Sequence, residues 1–385
     1  MGRTRVLVAG CGAIGSAIAF DLARDGTHEV TIADIDADRL QRASAQSGAR
    51  TVLADLSQAK TVSRLASDHD LVVGALPSVL GCQSLSEVIA ARRPMVDVSF
   101  MAEDPLALDA RARDGGVTAL VDCGVAPGLS HMIVGFAATR MSSVERVAIY
   151  VGGLPAARGS LFDYKAPFSP FDVIEECVRP ARIVEDGRVA VREALEEPEL
   201  LHIDGFGEVE AFLTDGLRTL TRTIPSRFMA EKTLRYPGHR AAMAALRDAG
   251  LFSTAAVEAA GCTIRPIDVT AALLFPRWQY EDGEPDVTIL RVVVEGREIV
   301  PSGRSESRGT VRCTANLLDR YDAATGLRSM SRTTAFPAAS VVRLVERHAF
   351  APGVHPPEAI GRLGLLDDVL NDLAARGVHC DVRID

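Results

Sequence analysis

The chain has 385 residues, 47% of them apolar and 24% charged, with a formal net charge of −9. An acidic balance without a Lys/Arg-rich block excludes a general polyanion-binding role, so nucleic acid is not an expected partner. The length exceeds what one core usually supports and asks for two domains; no run of 18 apolar residues is present, so no membrane span is expected.

In chain order, "RVLVAG" from Arg5 is a short β-branched run that suits a strand buried on both faces of a parallel sheet. Helical spacing follows in Ser16–Gly26, a second strand in Glu29–Asp34, a helix in Ala37–Gly48 and a third strand in Thr51–Asp55. Helices over Ala59–His69, Cys82–Arg93 and Asp104–Gly116 alternate with strands at Asp70–Pro77, Pro94–Phe100 and Val117–Gly124. Six strands with helical crossovers predict a Rossmann-type doubly wound α/β sheet.

Gly10-Cys11-Gly12-Ala13-Ile14-Gly15 lies between the first strand and the first helix. In that context the glycines predict a dinucleotide site: a tight turn at Gly10, close approach of a pyrophosphate at Gly12, and helix–strand contact at Gly15. Asp34 ends the second strand 19 residues after Gly15, where a carboxylate accepts ribose hydroxyls and repels a 2′-phosphate. NAD is therefore the expected cofactor. Asp55, ending strand three, is placed either near the adenine or in a turn cap, and Ala75, Leu76 and Pro77 in the loop after strand four are expected to pass close to the cofactor.

Beyond "VDCGVAPGLSHMIVG" the periodicity changes. Alternating or β-branched runs at Val144–Pro155, Ala181–Gly187, Glu208–Gly216 and Asp286–Gly296, with a last long strand near Gly309–Asp322, predict an α+β domain with a mixed or antiparallel sheet. From about Thr333 the pattern is helical again and is read as packing back on the first domain. The expected division is 1–124 with 333–385 for the dinucleotide-binding domain, and 125–332 for substrate binding and oligomerisation. Seven scattered cysteines without a C-x-x-C pair, and an N-terminus that runs straight into a strand, suit reduced thiols in the cytoplasm; the eight dispersed histidines offer no metal site.

"VVGALPSVLG", "MVDVSFMAEDP", "CGVAPGLSHM", "YVGGLP", "EAFLTDGLRTL" and "KTLRYPGH" occur in this order along the chain. Together they resemble the saccharopine dehydrogenase superfamily, and within it the ε-deaminating lysine 6-dehydrogenases. The resemblance runs from Arg5 to about Arg347. It implies NAD-dependent oxidation of the L-lysine side-chain amine to 2-aminoadipate 6-semialdehyde, which cyclises with ammonia released, and it implies a homo-oligomer. The family carries Asn more often where this chain has His131.

An amino-acid substrate needs a partner for its carboxylate, and an Arg fork serves best. In "KTLRYPGH", Lys232, Arg235 and His239 set three donors around an aromatic and a Pro-Gly turn; Arg235 is the carboxylate candidate, with Thr233 and His239 adding hydrogen bonds. Asp215 in "LTDG" is a candidate for the α-ammonium, the alternative being a turn. Tyr164, Lys165 and Phe168 are candidates for the walls around the methylene chain. Hydride leaves a carbon bearing a neutral amine, so a base is required; Asp97, Asp122, His131, Lys165 and His239 are the candidates. Asp97 and Asp122 are preferred, lining the nicotinamide region with His131 near, because ligands lie beyond the carboxyl ends of such strands. The competing readings are a saccharopine-type or carboxypolyamine-type oxidoreductase and a non-catalytic NAD-sensing module.

Overall fold

The computed structural model describes residues 2–166, 170–299 and 309–385. The chain divides into two compact units, Met1–Phe136 with Ser331–Val378, and Ala137–Met330 with His379–Asp385. Among the described residues, no helix is long and apolar enough to cross a membrane.

The first unit opens with β1 (Thr4–Ala9), α1 (Ala13–Arg24), β2 (His28–Asp34), α2 (Ala37–Ser47), β3 (Arg50–Leu53) and α3 (Thr61–Ser67). It continues with β4 (Leu71–Gly74), α4 (Ser78–Ala90), β5 (Met95–Asp97), α5 (Asp109–Gly115), β6 (Thr118–Leu120) and α6 (Leu129–Ala138). The six strands pair parallel in the order β6-β5-β4-β1-β2-β3. Val6, Leu7, Val8 and Ala9 are all fully buried, which is why β1 is apolar at every one of these positions instead of alternating. Strand order reverses between β1 and β4, and the crevice at that switch point is where such sheets take ligands.

The second unit contains β7 (Met141–Pro155), α7 (Pro170–Val178), β8 (Ala181–Glu185), β9 (Arg188–Arg192), β10 (Glu199–Ile203), β11 (Gly207–Leu213), α8 (Leu220–Thr223) and β12 (Ser226–Arg235). Then come α9 (His239–Asp248), the small hairpin β13 (Val257–Ala259) and β14 (Cys262–Ile264), α10 (Pro266–Trp278), β15 (Asp286–Glu298) and β16 (Thr310–Arg320). β12 runs parallel to β7 and antiparallel to β11, while β7-β15-β16 are antiparallel, so the sheet is mixed. One core cluster gathers Tyr164, Val173, Ile174, Phe212, Met243 and Trp278 where α7, α9 and α10 meet.

The chain leaves this sheet through α11 (Ser329–Arg347), whose first amides, Ser329 and Met330, are capped by the Asp286 carboxylate at 2.6 and 3.0 Å. β17 (Gly353–His355) then joins β6 in parallel as a seventh strand of the first sheet, followed by α12 (Pro357–Arg362), α13 (Leu366–Ala374) and β18 (Cys380–Ile384). The seventh strand is absent from the sequence reading because so short a strand carries too little periodicity to register. The assignment of 379–385 to the first domain is corrected as well: β18 pairs antiparallel with β16, Cys313 opposite Ile384. That pairing is remote along the chain and leaves no local signal.

α11 is tied to the start of the first unit by ion pairs. Asp21 on α1, with 0% exposure, accepts from Arg343 at 2.8 Å and from Arg376; Asp372 accepts from both arginines. Buried His28 places Nε2 3.1 Å from Glu346 and Nδ1 3.6 Å from Asp25. Burial pulls this imidazole down, but the hydrogen bond and charge of Glu346, with Asp25, outweigh it and leave the group above its ordinary 6.5. The resulting stability is fully present below 6.5 and is lost as pH climbs through the raised folded value. Melting curves across neutral pH are expected to show a fall for the wild type and a smaller one for His28→Gln; equal slopes would refute the assignment.

Candidate functional site

Gly10 has φ +106°, and a Cβ there would run into the Ala75 carbonyl; one at Gly15 would run into the Gly10 carbonyl. At Gly12 a Cβ would meet nothing within 4 Å, so the glycine leaves open space above the turn. α1 begins there with Gly12 as its N-cap and no side-chain cap, so the amides at its start, those of Ala13, Ile14 and Gly15, are left without a capping side chain among the described residues. Ala75 is held by its amide on the Ala9 carbonyl, Leu76 lies against Gly10, and Pro77 is the N-cap of α4. This cradle fits a dinucleotide pyrophosphate. Asp34 accepts from the Cys11 amide at 2.6 Å and the Asp36 amide at 2.9 Å, which pins its carboxylate beside the turn. Asp55 is a turn cap, accepting from Ser57 and Gln58.

At the strand ends, Asp97 is fully buried and accepts from the Ser99 amide at 2.8 Å and its hydroxyl at 3.2 Å. Gly74 is required beside it, because a Cβ there would occupy the place of the Asp97 carboxylate. Asp122 is buried with φ +55°, a left-handed backbone that non-glycine residues adopt at a cost. The Cys123 amide donates to the Asp97 carbonyl at 2.9 Å, and burial, then Asp122 and Asp97, push its thiol well up. His131 is fully buried on α6, Nδ1 2.9 Å from the Ser130 hydroxyl.

In the second unit, Arg235 ends β12 and is 4% exposed. It donates to Glu176 at 2.9 Å and to the Leu234 carbonyl at 2.9 Å, and its guanidinium lies 4.8 Å from the Tyr164 ring centre. Its Nε has no partner among the described residues; nor do the Tyr164 hydroxyl and the Trp278 Nε1, although both residues have 0% exposure. Buried polar atoms are rarely left unmatched, and Nε and Nε1 can only donate. Their complement is an acceptor-rich group such as a carboxylate. Two more atoms of the same unit have no partner among the described residues: the Arg328 Nε and the Tyr280 hydroxyl, with the Arg328 guanidinium 4.9 Å from the Tyr280 ring centre.

Several expectations change here. Lys232 alternates to the opposite face of β12, where it pairs with Glu199 at 3.0 Å and the Glu197 carbonyl at 2.9 Å, so the three donors of "KTLRYPGH" do not converge. His239 is held neutral, its pKa lowered to about 3 by burial and then by Arg235. Its Nδ1 lies 3.2 Å from the Phe162 carbonyl, so that nitrogen carries the proton and Nε2 can only accept. It therefore adds no donor to a carboxylate. Thr233 shares a 2.8 Å hydroxyl contact with Thr214. Both oxygens of Asp215 are taken by the Arg182 fork, each at 2.8 Å, which replaces the expected α-ammonium role with an ion pair. Lys165 is paired with Glu284 at 2.7 Å; Phe168 lies outside the described residues. Glu176, Glu231, Trp278, Tyr280 and Arg328 are absent from the sequence reading. A period-2 reading of "SRFMAEKTLR" puts Glu231, Thr233 and Arg235 on one face and is the signal that could have found the first of the strand's buried charges.

Residues 6–120 match the family model described as the saccharopine dehydrogenase NADP binding domain, and residues 124–378 that of the saccharopine dehydrogenase C-terminal domain. The mitochondrial alpha-aminoadipic semialdehyde synthase of Mus musculus is 29% identical over 194 residues, 49% of this chain and 21% of that protein. The saccharopine dehydrogenase [NADP(+), L-glutamate-forming] of Pyricularia oryzae is 24% identical over 202 residues, 49% of this chain and 43% of the relative. The chain thus matches less than half the length of these relatives. The apo saccharopine dehydrogenase (L-Glu forming) from Saccharomyces cerevisiae shares the fold, with TM-score 0.79 at 19% identity over 99% of this chain and 100% of that one. The chain belongs to the saccharopine dehydrogenase family, and its first unit is an NAD(P)-binding domain.

Proposed function

We propose that this family member is an NAD-dependent dehydrogenase that oxidises the ε-amine carbon of L-lysine to 2-aminoadipate 6-semialdehyde with release of ammonia. The observation that carries the reading is that the Arg235 Nε, the Tyr164 hydroxyl and the Trp278 Nε1 are buried without partners among the described residues, donors suited to a carboxylate, on a chain that also holds a dinucleotide cradle. When bound, the nicotinamide would take hydride from the carbon bearing the amine. The chain's part is to hold the substrate carboxylate at Arg235 and to accept the amine proton, for which Asp97 and Asp122 remain the candidates. Loss of hydride from the neutral amine leaves an iminium; water adds to its carbon, and the C–N bond breaks to give aldehyde and ammonium, so the proton taken from the substrate ammonium at the start is the only one released overall. The free amine becomes more abundant toward its ordinary pKa of about 10.4, which favours alkaline conditions for the oxidation.

Asp34 supports NAD over NADP, since its carboxylate is pinned beside the turn, where it would repel a 2′-phosphate. Catalytic efficiency is expected to be far higher with NAD, and Asp34→Ala should narrow the gap. Equal efficiency of the wild type with both cofactors would refute this.

A second reading is favoured by Arg328 and Tyr280. A further anion receptor suits a secondary amine with a second carboxylate, in line with the saccharopine named in one relative. Absorbance of reduced nicotinamide, followed with lysine, saccharopine or a carboxylated polyamine, separates the two. Turnover of lysine supports the first reading and turnover restricted to a secondary amine supports the second. No reduction with any of the three would leave an NAD-sensing module.

A further inference from the structure

We propose that Glu231 is a positioning residue whose charge governs how strongly Arg235 holds an anionic substrate group. This rests on the reading of Arg235 as the carboxylate anchor. Glu231, Thr233 and Arg235 follow one another on the same face of β12, and Glu231 is 3% exposed. The Thr214 hydroxyl donates to the Glu231 carboxyl at 2.6 Å and sits 2.8 Å from the hydroxyl of Thr233, the residue between Glu231 and Arg235 on this face. Gly216 leaves the room this carboxyl occupies, since a Cβ there would overlap it.

Charge counting makes Glu231 the surplus acid. Glu176 from α7, Asp215 from the segment after β11 and Arg235 from its own strand are the charged groups that act on it. Its neighbour across the sheet on β7 is apolar Ile149. Glu176 is matched by Arg235 and Asp215 by Arg182, which leaves Glu231 bonded to a hydroxyl and without a cation of its own among the described residues. Protonated, it adds no charge, and Arg235 faces only Glu176. Ionised, it places a second buried negative charge near Arg235 and opposes any incoming carboxylate. Burial, countered by Thr214 and reinforced by Glu176 and Asp215, pushes Glu231 up to about 8, whereas His239 sits at about 3 and Cys177 at about 12. A hold on anions that weakens above pH 8 follows.

The chain's single tryptophan is Trp278, inside this cluster, so its fluorescence reports binding. Glutarate is titrated into the intact wild type, Glu231→Gln and Arg235→Ala from about pH 7 to about pH 9.5, a range that brackets the Glu231 transition. Wild-type affinity is expected to fall about ten-fold across that range, from one added like charge in the same poorly hydrated surroundings, and that of Glu231→Gln less than about two-fold. Wild-type binding that needs Arg235 yet is flat with pH would overturn the role of Glu231 alone. Absent binding, or equal binding by Arg235→Ala, would overturn the anchor and with it this proposal. A second measurement avoids ligand altogether. Between the ordinary 4.5 and about 8, the unfolded carboxyl ionises before the folded one, so folded stability falls as pH rises. The melting temperature of Glu231→Gln relative to wild type should therefore climb between those two values; a constant offset would mean a merely structural contact and sink the idea.

Discussion

Asp21→Ala is expected to cost about 3 kcal/mol of folding stability, whereas Asp70→Ala should cost less than about 1 kcal/mol. Both carboxylates meet arginines at hydrogen-bond distance, so contact geometry alone would rank them alike. Solvent separates them. The Asp70 and Arg5 side chains are 41% and 49% exposed, and each partner regains water when the pair is broken. The Asp21 side chain is fully buried and its arginines are 11% exposed, so its removal leaves two poorly hydrated guanidiniums to share, among the described residues, Asp372 and, for Arg343, Asp25. The network joins α1 to α11 and to the end of α13 across more than 300 residues of chain, so its loss also loosens the C-terminal return from α1. Chemical denaturation of the two variants side by side checks this. Equal midpoints would mean that the buried network contributes no more than the exposed Arg5–Asp70 pair.

The features legible in the sequence are those set by local backbone demands. Gly10 and Gly15 are dictated by a turn and a close approach within a few residues, and the all-apolar run of β1 follows from burial on both faces. Pairings between distant segments leave no such trace. The sequence reading misplaces β18 because its partner β16 is far away in the chain, and Asp215 looks available because Arg182 lies 33 residues before it. The donors at Tyr164, Trp278 and Arg235 show the same limit from the other side. Each is an ordinary core or surface residue type by itself, and only the fold reveals that each has a buried polar atom without a partner among the described residues.

Arg235→Ala is expected to raise the KM for lysine and lower efficiency by roughly ten- to hundred-fold, the worth of a charge-assisted contact of about 1.5–3 kcal/mol, with NAD affinity little changed. A carboxylate remote from the reacting carbon is held alike in ground and transition states, so the loss belongs in KM. Arg235→Lys should restore only part, because an ammonium reaches one oxygen where the fork reaches two and leaves Glu176 less well matched. Glu176 supplies the opposite test. It draws on the same guanidinium, so Glu176→Gln should leave Arg235 more attractive to a carboxylate and lower KM, where loss of a purely structural ion pair would only destabilise. The two variants moving KM in opposite directions, with folding confirmed by melting curves, is the expected pattern. A folded Arg235→Ala protein that keeps the wild-type KM and the wild-type preference for lysine over a simple alkylamine would make Arg235 a core ion pair and nothing more.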